Sequence, residues 1–311
     1  MNMKRGPRMA KAKKDFLEGN ELDQEEQEST RIMQFELIDS PIPTITNDLS
    51  NGRWYCDIQE KEENRTFLPS VTTILGSINK GIGFDMWLGN SLSYKHAMEY
   101  ANELADIGSA VHALCMRMVW GEEVDTRIDF INHDGSIMKL DNRVNKRLVG
   151  FLDFIKDHRP KFLATEISLF NPEKDKDGEI IFDWAGQADD VIMIDDKVIM
   201  LDIKTGKEYQ THSLQLTAYK LLWDSLFPDM IIDELWGLYL PDKYRTKSYK
   251  IVKYKYEPEM WLNAYELWIW QNSKRGKRPK PVFKKELETK YTITEELYME
   301  EEDVQEDKKS K

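Results

Sequence analysis

The sequence has 311 residues, of which 44 are Lys or Arg and 56 are Asp or Glu, so its formal net charge is −12. No stretch approaches the roughly 18 uninterrupted apolar residues of a membrane-spanning helix, and no apolar secretory segment follows the basic N-terminus. Two cysteines, Cys56 and Cys115, are too few for a disulfide framework, a four-thiolate zinc site or an iron–sulfur cluster. These features predict a cytoplasmic protein with no membrane partner and no iron–sulfur cluster.

The distribution of charge divides the chain into three parts. The charged residues of 1–14 are all basic and those of 15–28 are all acidic, a block pattern typical of a mobile tail. A second basic run, at 274–285, precedes an acidic run at 300–307. We therefore predict a flexible N-terminal region over 1–49, one folded domain over 50–272 and a charged tail over 273–311.

Hydrophobic periodicity predicts a mixture of helices and strands within the folded domain. Apolar residues at helical spacing predict amphipathic helices over 85–120 and 139–159. Short runs rich in Ile, Val and Phe, separated by turn residues, then predict three or four antiparallel strands, at 162–170, 180–184, 188–194 and 198–203. A helix over 213–227, a strand over 234–240 and a last helix over 257–271 complete an α/β order.

Two acids and a lysine lie at the ends of neighbouring predicted strands. Asp189 begins one strand, and Asp202 and Lys204, two residues apart, end the next. Side chains at i and i+2 of a strand lie on the same face, and a hairpin of this length can bring Asp189 beside Asp202. Such a cluster is either a structural ion network or a divalent-metal site, to which the carbonyl of Ile203 could add a ligand. A divalent-metal site of this composition is suited to the hydrolysis of phosphodiester bonds.

Further motifs accompany these acids in a definite order along the chain. They are Gly108-Ser109-Ala110-Val111-His112, Glu166, Gly186-x-x-Asp189, Asp202-x-Lys204-Thr205-Gly206 and Gln215-x-x-x-Tyr219. The ordered set resembles that of the PD-(D/E)XK nucleases, in particular the RecB-like exonuclease branch, over about residues 67–240. Residues 68–75, with Trp87 beyond them, are also similar to phage and mitochondrial-maintenance-type exonucleases of this branch. Ala188 stands where the superfamily name has proline.

The resemblance implies a fold and a role for each motif residue. The implied fold is a restriction-endonuclease-like core, with a central mixed sheet flanked by helices, a helical part at about 70–159 and a catalytic sheet core at about 160–256. Asp189 and Asp202 would be metal ligands, and Lys204 would position the nucleophile or stabilise transition-state charge. His112 would complete the metal environment or contact the scissile phosphate, unless it is a satisfied core residue.

The remaining motif residues have supporting roles in the resemblance. Glu166 would orient a ligand or a water, and Gln215 with Tyr219 would hold Lys204 and the strand backbone. Tyr219 could equally serve only in packing.

The resemblance also implies a Mg²⁺-dependent deoxyribonuclease, acting as an exonuclease on DNA ends in recombination, repair or replication in a bacterial or phage-infected cell. Mn²⁺ could substitute for Mg²⁺, since both accept carboxylate oxygens. The sequence lacks a phosphate-binding loop of the GxxxxGK[ST] type, so no nucleotide cofactor is expected and any helicase would be a partner chain, as would a recombination or single-strand-binding protein. The alternatives are a structure-specific or restriction-type endonuclease and a non-catalytic DNA-binding recombination partner.

A basic segment rich in tyrosine is the candidate DNA-binding surface. Residues 243–255 contain no acid, and the bases are Lys243, Arg245, Lys247, Lys250, Lys253 and Lys255. Cations neutralise phosphates and aromatic rings stack on unpaired bases, so this pattern predicts contact with single-stranded DNA at a free end. A twisted edge strand protected by lysines is the alternative.

Overall fold

The computed structural model describes residues 33–49, 51–78, 82–131, 135–173, 176, 182–244, 246–273 and 279–282. Most of the predicted N-terminal region and nearly all of the predicted C-terminal tail lie outside these ranges. No helix within them has the length and apolar character to cross a bilayer.

The elements follow one another in an order that mixes helices with strands. In chain order they are β1 (Thr44–Leu49), β2 (Gly52–Asp57), β3 (Leu68–Pro69), α1 (Val71–Leu75), α2 (Ile82–Gly89), α3 (Tyr94–Val119), β4 (Phe130–Ile131), β5 (Ile137–Met138), α4 (Asn142–His158), β6 (Lys161–Leu169), β7 (Gly186–Ile194), β8 (Lys197–Lys204), α5 (Thr211–Leu226), β9 (Glu234–Tyr239), β10 (Lys250–Tyr254) and α6 (Pro258–Asn272).

A five-stranded sheet lies at the centre, with the strand order β10-β9-β8-β7-β6. Strand β7 pairs antiparallel with both β6 and β8, β8 pairs parallel with β9, and β10 returns antiparallel to β9 as an edge strand. The sheet is therefore mixed. Because β8 and β9 are parallel, their carboxyl ends lie at the same edge, where the amide of Leu240 donates to the carbonyl of Lys204 at 2.8 Å.

Helices cover both faces of this sheet. One face buries Met200 against α1, α5 and α6, and the opposite face buries Leu201 against α3 and α4. The alternation follows from the two-residue period of strand side chains. Both cores are rich in large side chains, and Trp223, Trp261 and Phe151 are among those fully buried. The observed class is thus mixed α/β, with a central sheet flanked by helices.

The first long predicted helix is two helices in the structure. The chain leaves α2 at Gly89, and the side chain of Ser93 accepts the amide of His96 to begin α3. The predicted helix over 139–159 is confirmed as α4, which begins after the Asp141 cap and ends at Arg159, where φ is +46°. Of the predicted strand over 180–184, residues 180 and 181 lie outside the described ranges and 182–184 form no strand.

The folded part begins earlier than the predicted boundary at residue 50. Strands β1, β2 and β3 form a small antiparallel sheet, and before it the amide of Ile38 donates to the carbonyl of Leu163 at 2.8 Å. Trp54 from β2 is buried in the same core as α6. Three consecutive buried residues, 54–56, break the alternation of a half-buried strand, so hydrophobic periodicity did not predict this sheet.

Gly150 permits a close approach between α4 and the loop after β9, and its replacement is expected to destabilise the fold. A Cβ at this position would lie 2.4 Å from the carbonyl oxygen of Ser248, and backbone cannot move aside cheaply. We expect Gly150→Ala to lower the free energy of unfolding by about 1–3 kcal/mol, measured by urea denaturation. Gly89→Ala is the matched control, because nothing lies within 4 Å of its added Cβ. Equal midpoints for the two variants would contradict the close approach.

Candidate metal centre

The site lies where three strands of the central sheet and two helices meet. Thr165 pairs with Asp190 and Ile167 with Ala188, so Glu166 of β6 lies opposite Asp189 of β7. The pairing of Asp190 with Leu201 likewise ends the β7–β8 ladder with Asp189 next to Asp202. Helix α3 brings His112 to this point, and α5 brings Gln215 and Tyr219. All six predicted catalytic residues and His112 therefore converge on one region.

Asp189 forms the middle of the site. Its Oδ2 accepts the backbone amide of Ile203 at 2.7 Å and lies 3.3 Å from Nδ1 of His112. Burial opposes the charged form of both side chains, but each charge stabilises the other. As a result the pKa of His112 is raised to about 9, and the pKa of Asp189 is held below its ordinary value.

Glu166 adopts an unusual backbone conformation opposite Asp189. Its φ is +47°, a left-handed value that costs a non-glycine residue on the order of 1–3 kcal/mol and tends to occur at functional sites. The side-chain amide of Gln187 donates to Glu166 Oε2 at 2.8 Å and to the Glu166 carbonyl at 3.2 Å, which holds the Glu166 side chain in place. Burial and the nearby charge of Asp189 raise the pKa of Glu166 to about 7.

These groups form a possible set of metal ligands. One ligand atom each from His112, Glu166 and Asp189 lies within 4.8 Å of the others, and all three side chains are half-buried. Carboxylate oxygens suit Mg²⁺ and Mn²⁺, and an imidazole suits the transition metals better than Mg²⁺. The three side chains could therefore hold a metal ion.

A second cluster of polar side chains lies beside the first. Lys204 Nζ is 2.5 Å from Asp202 Oδ2 and donates to Gln215 Oε1 at 3.1 Å. The Gln215 amide in turn donates to Asp202 Oδ1 at 3.2 Å and to the Tyr219 hydroxyl at 3.3 Å. Burial raises the pKa of Asp202 to about 6, although the charge of Lys204 opposes this shift. Gln215 therefore holds both members of the ion pair.

Two glycines of the sequence motifs allow the helices to approach this cluster. A Cβ at Gly186 would lie 2.3 Å from the ring of Tyr219, and a Cβ at Gly108 would lie 3.1 Å from the hydroxyl oxygen of Thr205. Gly186 therefore lets α5 lie against the start of β7, and Gly108 lets α3 lie against the end of β8. Residues of both helices reach the strand ends for this reason.

The predicted ligand set and the group in the structure overlap without being identical. Both contain His112 and Asp189. The structure adds Glu166 and leaves out Asp202, whose oxygens contact Lys204 and Gln215. Ile203 donates its amide to Asp189, and the use of its carbonyl as a ligand stays a prediction. The cause is the geometry of β8, which directs the Asp202 carboxylate towards α5.

The predicted DNA-binding residues fall into three groups. Lys250 and Lys253 lie on the edge strand β10 and are paired with Glu208 at 2.9 Å and Glu234 at 2.7 Å. Within the described residues, no ion pair joins an acid to Lys243, Lys247 or Lys255. Arg245 lies outside the described residues. The predicted edge strand is thus observed as β10, and contact with DNA stays a prediction.

Arg147 is a residue near the site that sequence reasoning missed. Its side chain is only 4% exposed, and its guanidinium donates to the carbonyls of Arg143 at 3.0 Å and Thr205 at 3.3 Å. It also lies 3.8 Å from a carboxylate oxygen of Asp242, after β9. Arg147 thus links α4 to the ends of two neighbouring strands. An arginine in a charged amphipathic helix gives no sequence signal for this role.

Comparison with known proteins adds little to this geometry. No family model matches the chain, and no curated protein matches it. The solved crystal structure of SSO0001 is similar over 42% of this chain and 61% of its own, with 16% sequence identity and a TM-score of 0.28. The match thus spans about three fifths of that protein. A likeness at this level carries no argument about fold or function.

Proposed function

We propose that this chain is a metal-dependent deoxyribonuclease of the PD-(D/E)XK type that removes nucleotides from DNA ends. One observation carries the proposal: three potential ligands, His112, Glu166 and Asp189, lie beside a lysine that is held by an acid and an amide. These groups come from five elements that are distant in sequence. Their convergence is expected of a site for phosphodiester hydrolysis.

A divalent cation fits the residues present. Three acids, Glu166, Asp189 and Asp202, crowd one region, and burial and mutual repulsion raise the pKa of two of them. A positive ion offsets this repulsion, and the donor set of two carboxylates and an imidazole suits Mg²⁺ or Mn²⁺. When bound, such a cation supplies Lewis-acid activation of water and of the phosphodiester.

Side chains of the site supply the other functions needed for cleavage, which are metal binding, charge stabilisation and DNA contact. Asp189, fixed by the Ile203 amide, and Glu166, fixed by Gln187, present their oxygens without rearrangement. Lys204 brings a positive charge that can stabilise the negative charge developing on the phosphate, and Asp202 with Gln215 orients it. Lys243 and Lys247, beyond the carboxyl end of β9, would contact backbone phosphates.

Incubation with linear and with circular DNA distinguishes the proposed exonuclease from an endonuclease and from a non-catalytic DNA-binding protein. Labelled linear DNA and a covalently closed circle of the same sequence are incubated with the protein and Mg²⁺ or Mn²⁺. We expect nucleotides to be released from the linear DNA, the circle to stay closed, and Lys204→Ala to reduce release by more than about 100-fold. Circular dichroism shows whether the variant is folded.

Each of the other outcomes has a defined meaning. Nicking of the circle would favour an endonuclease. Binding of DNA with no cleavage under either metal would favour a non-catalytic recombination protein. Equal digestion by the wild type and by folded Lys204→Ala would refute the assignment of the site.

A further inference from the structure

A cavity of about 640 Å³ lies beside the candidate centre, between the start of α5, strand β10 and the start of α6. Its lining includes the apolar residues Leu214, Val252 and Met260 and the aromatic residues Tyr209 and Tyr254. This size and this mixture of apolar and aromatic side chains are typical of sites for small organic groups. Lys253 and Lys255, which are among the predicted DNA-binding residues, also line this cavity.

A layer of hydrogen-bonded side chains separates the cavity from Lys204. The hydroxyls of Tyr254 and Tyr239 are 2.5 Å apart, and the Tyr239 hydroxyl is 2.6 Å from His212 Nδ1. Tyr239 is the direct neighbour of Lys204 in the β8–β9 ladder. Ser213, which lines the cavity, lies only two residues before Gln215 in α5. A DNA strand bound at Lys204 would therefore reach the cavity with a neighbouring nucleotide.

The absence of a side chain at Gly237 makes this layer possible. A Cβ there would lie 2.9 Å from the ring of Tyr254 and 3.0 Å from the ring of Tyr239. Both rings therefore lie close to the backbone of β9 at Gly237. Burial and the nearby Lys204 lower the pKa of His212 to about 4, so its ring is neutral, and its Nδ1 shares a hydrogen bond with the Tyr239 hydroxyl.

The polar groups around the cavity match the parts of a nucleotide. Tyr209 is 42% exposed, and its ring is nearly perpendicular to that of His212, with an interplanar angle of 84°, so the exposed part of the ring is available for stacking. Gln210 offers both a donor and an acceptor to a base edge. Lys255, at the rim, has no acidic partner within the described residues and can contact a phosphate.

The acids of the cavity limit where a phosphate can lie. The carboxylate of Glu208 is already paired with Lys250 at 2.9 Å, whereas Glu257, which also lines the cavity, forms no ion pair within the part of the chain that the structure describes. A phosphate inside the cavity would meet that charge, but a base with amino groups would not be repelled. This arrangement places the base inside and the phosphate at Lys255.

We propose that this cavity is a nucleotide subsite, in which one base of the DNA strand next to the cleaved bond stacks on Tyr209. The proposal rests on the nuclease function proposed above and adds a second point at which the substrate is held. Stacking on an aromatic side chain tolerates any base, so the subsite would contribute affinity and register without sequence preference.

Abasic substitution of the DNA tests this proposal in the full-length protein. Fluorescent single-stranded oligonucleotides are prepared, each lacking one base at a successive position from the cleaved bond, and KM and kcat are measured with Mg²⁺. We expect Tyr209→Ala to raise KM for intact DNA by about 10-fold with little change in kcat, and Tyr209→Phe to behave as the wild type. The wild type should show a comparable KM increase at one abasic position, and Tyr209→Ala should show none there.

Tyr94→Ala is the matched control, because Tyr94 is an exposed tyrosine at the start of α3. An unchanged KM for Tyr209→Ala, or an abasic penalty that is the same in the variant and the wild type, would overturn the subsite while leaving the nuclease function intact. A wild-type protein that cleaves no DNA would refute the nuclease function, and the subsite with it. The abasic pattern also separates stacking from a general loss of folding, which would affect every oligonucleotide equally.

Discussion

Replacing Asp189 with asparagine is expected to reduce DNA cleavage by more than about 100-fold, because the change removes both a positioned anionic group and a metal ligand. The amide oxygen of asparagine can still accept the Ile203 amide, which Asp189 accepts at 2.7 Å, so the strand should keep its place. The neutral side chain can no longer balance His112 or bind a divalent cation through two anionic oxygens. Initial rates on linear DNA and calorimetric titration with Mn²⁺ measure the two losses.

The next residue provides a matched control. Asp190 is 2% exposed and pairs with Leu201, so its side chain lies on the face of the sheet that α3 and α4 cover, and it is not one of the three potential ligands. Burial raises the pKa of Asp190 well above its ordinary value, which favours a neutral carboxyl that is close to an amide in charge and shape. Asp190→Asn should therefore keep nearly the wild-type rate. Equal rates for Asp189→Asn and Asp190→Asn would contradict the proposed centre.

The stabilisation of the protein by Mn²⁺ is expected to be larger at about pH 8 than at about pH 5. The pKa of Glu166 is raised to about 7, so without metal the folded state loses stability as pH rises from the ordinary carboxyl range through 7. The pKa of His112 is raised to about 9, so its contribution is complete below its ordinary value of 6.5 and is lost as pH rises through 9. The deprotonation of Glu166 and of His112 thus lowers the stability of the metal-free protein as pH rises. A cation binds the ionised carboxylate and a neutral imidazole, so it restores more stability at the higher pH.

Thermal unfolding with and without Mn²⁺ at both pH values measures this difference. A ligand at about 100 times its dissociation constant stabilises by about 2.7 kcal/mol, which is a readily measured shift in Tm. Glu166→Gln should reduce the Mn²⁺-dependent shift at the higher pH, because a carboxylate ligand is lost while the side-chain shape is retained. A shift that is independent of pH, or unchanged in Glu166→Gln, would show that these three side chains do not hold the ion.

Much of the candidate site was predictable because its residues occupy fixed positions in short, regular motifs. Asp202 and Lys204 are two positions apart in a strand, so their side chains lie on the same face regardless of the rest of the fold. Gln215 and Tyr219 are four positions apart in a helix, a spacing that places both side chains on the same face of the helix. The contacts within each pair are local. The sheet of 44–69 and the role of Arg147 were not predictable, because each depends on partners far away in the sequence.

The ligand set shows most clearly where sequence reasoning ends. The sequence identified Asp189, Asp202 and His112 as chemically important, but it could not decide which carboxylate would contact His112 and which would contact Lys204. The assembled sheet decides this, since Glu166 lies opposite Asp189 in the β6–β7 ladder while Asp202 is directed towards Gln215 of α5.

The sequence by itself determined the α/β class, most helices and strands of the central fold and the identity of the polar residues at the strand ends. These properties depend on the spacing of side chains along one segment, which local backbone geometry fixes. The tertiary structure alone decided how α3 and α5 pack against the strand ends, which acids share a possible cation, and where a cavity opens beside them. Those features depend on distances between segments that are far apart in the chain, and the packing of the two cores on either side of the sheet sets these distances.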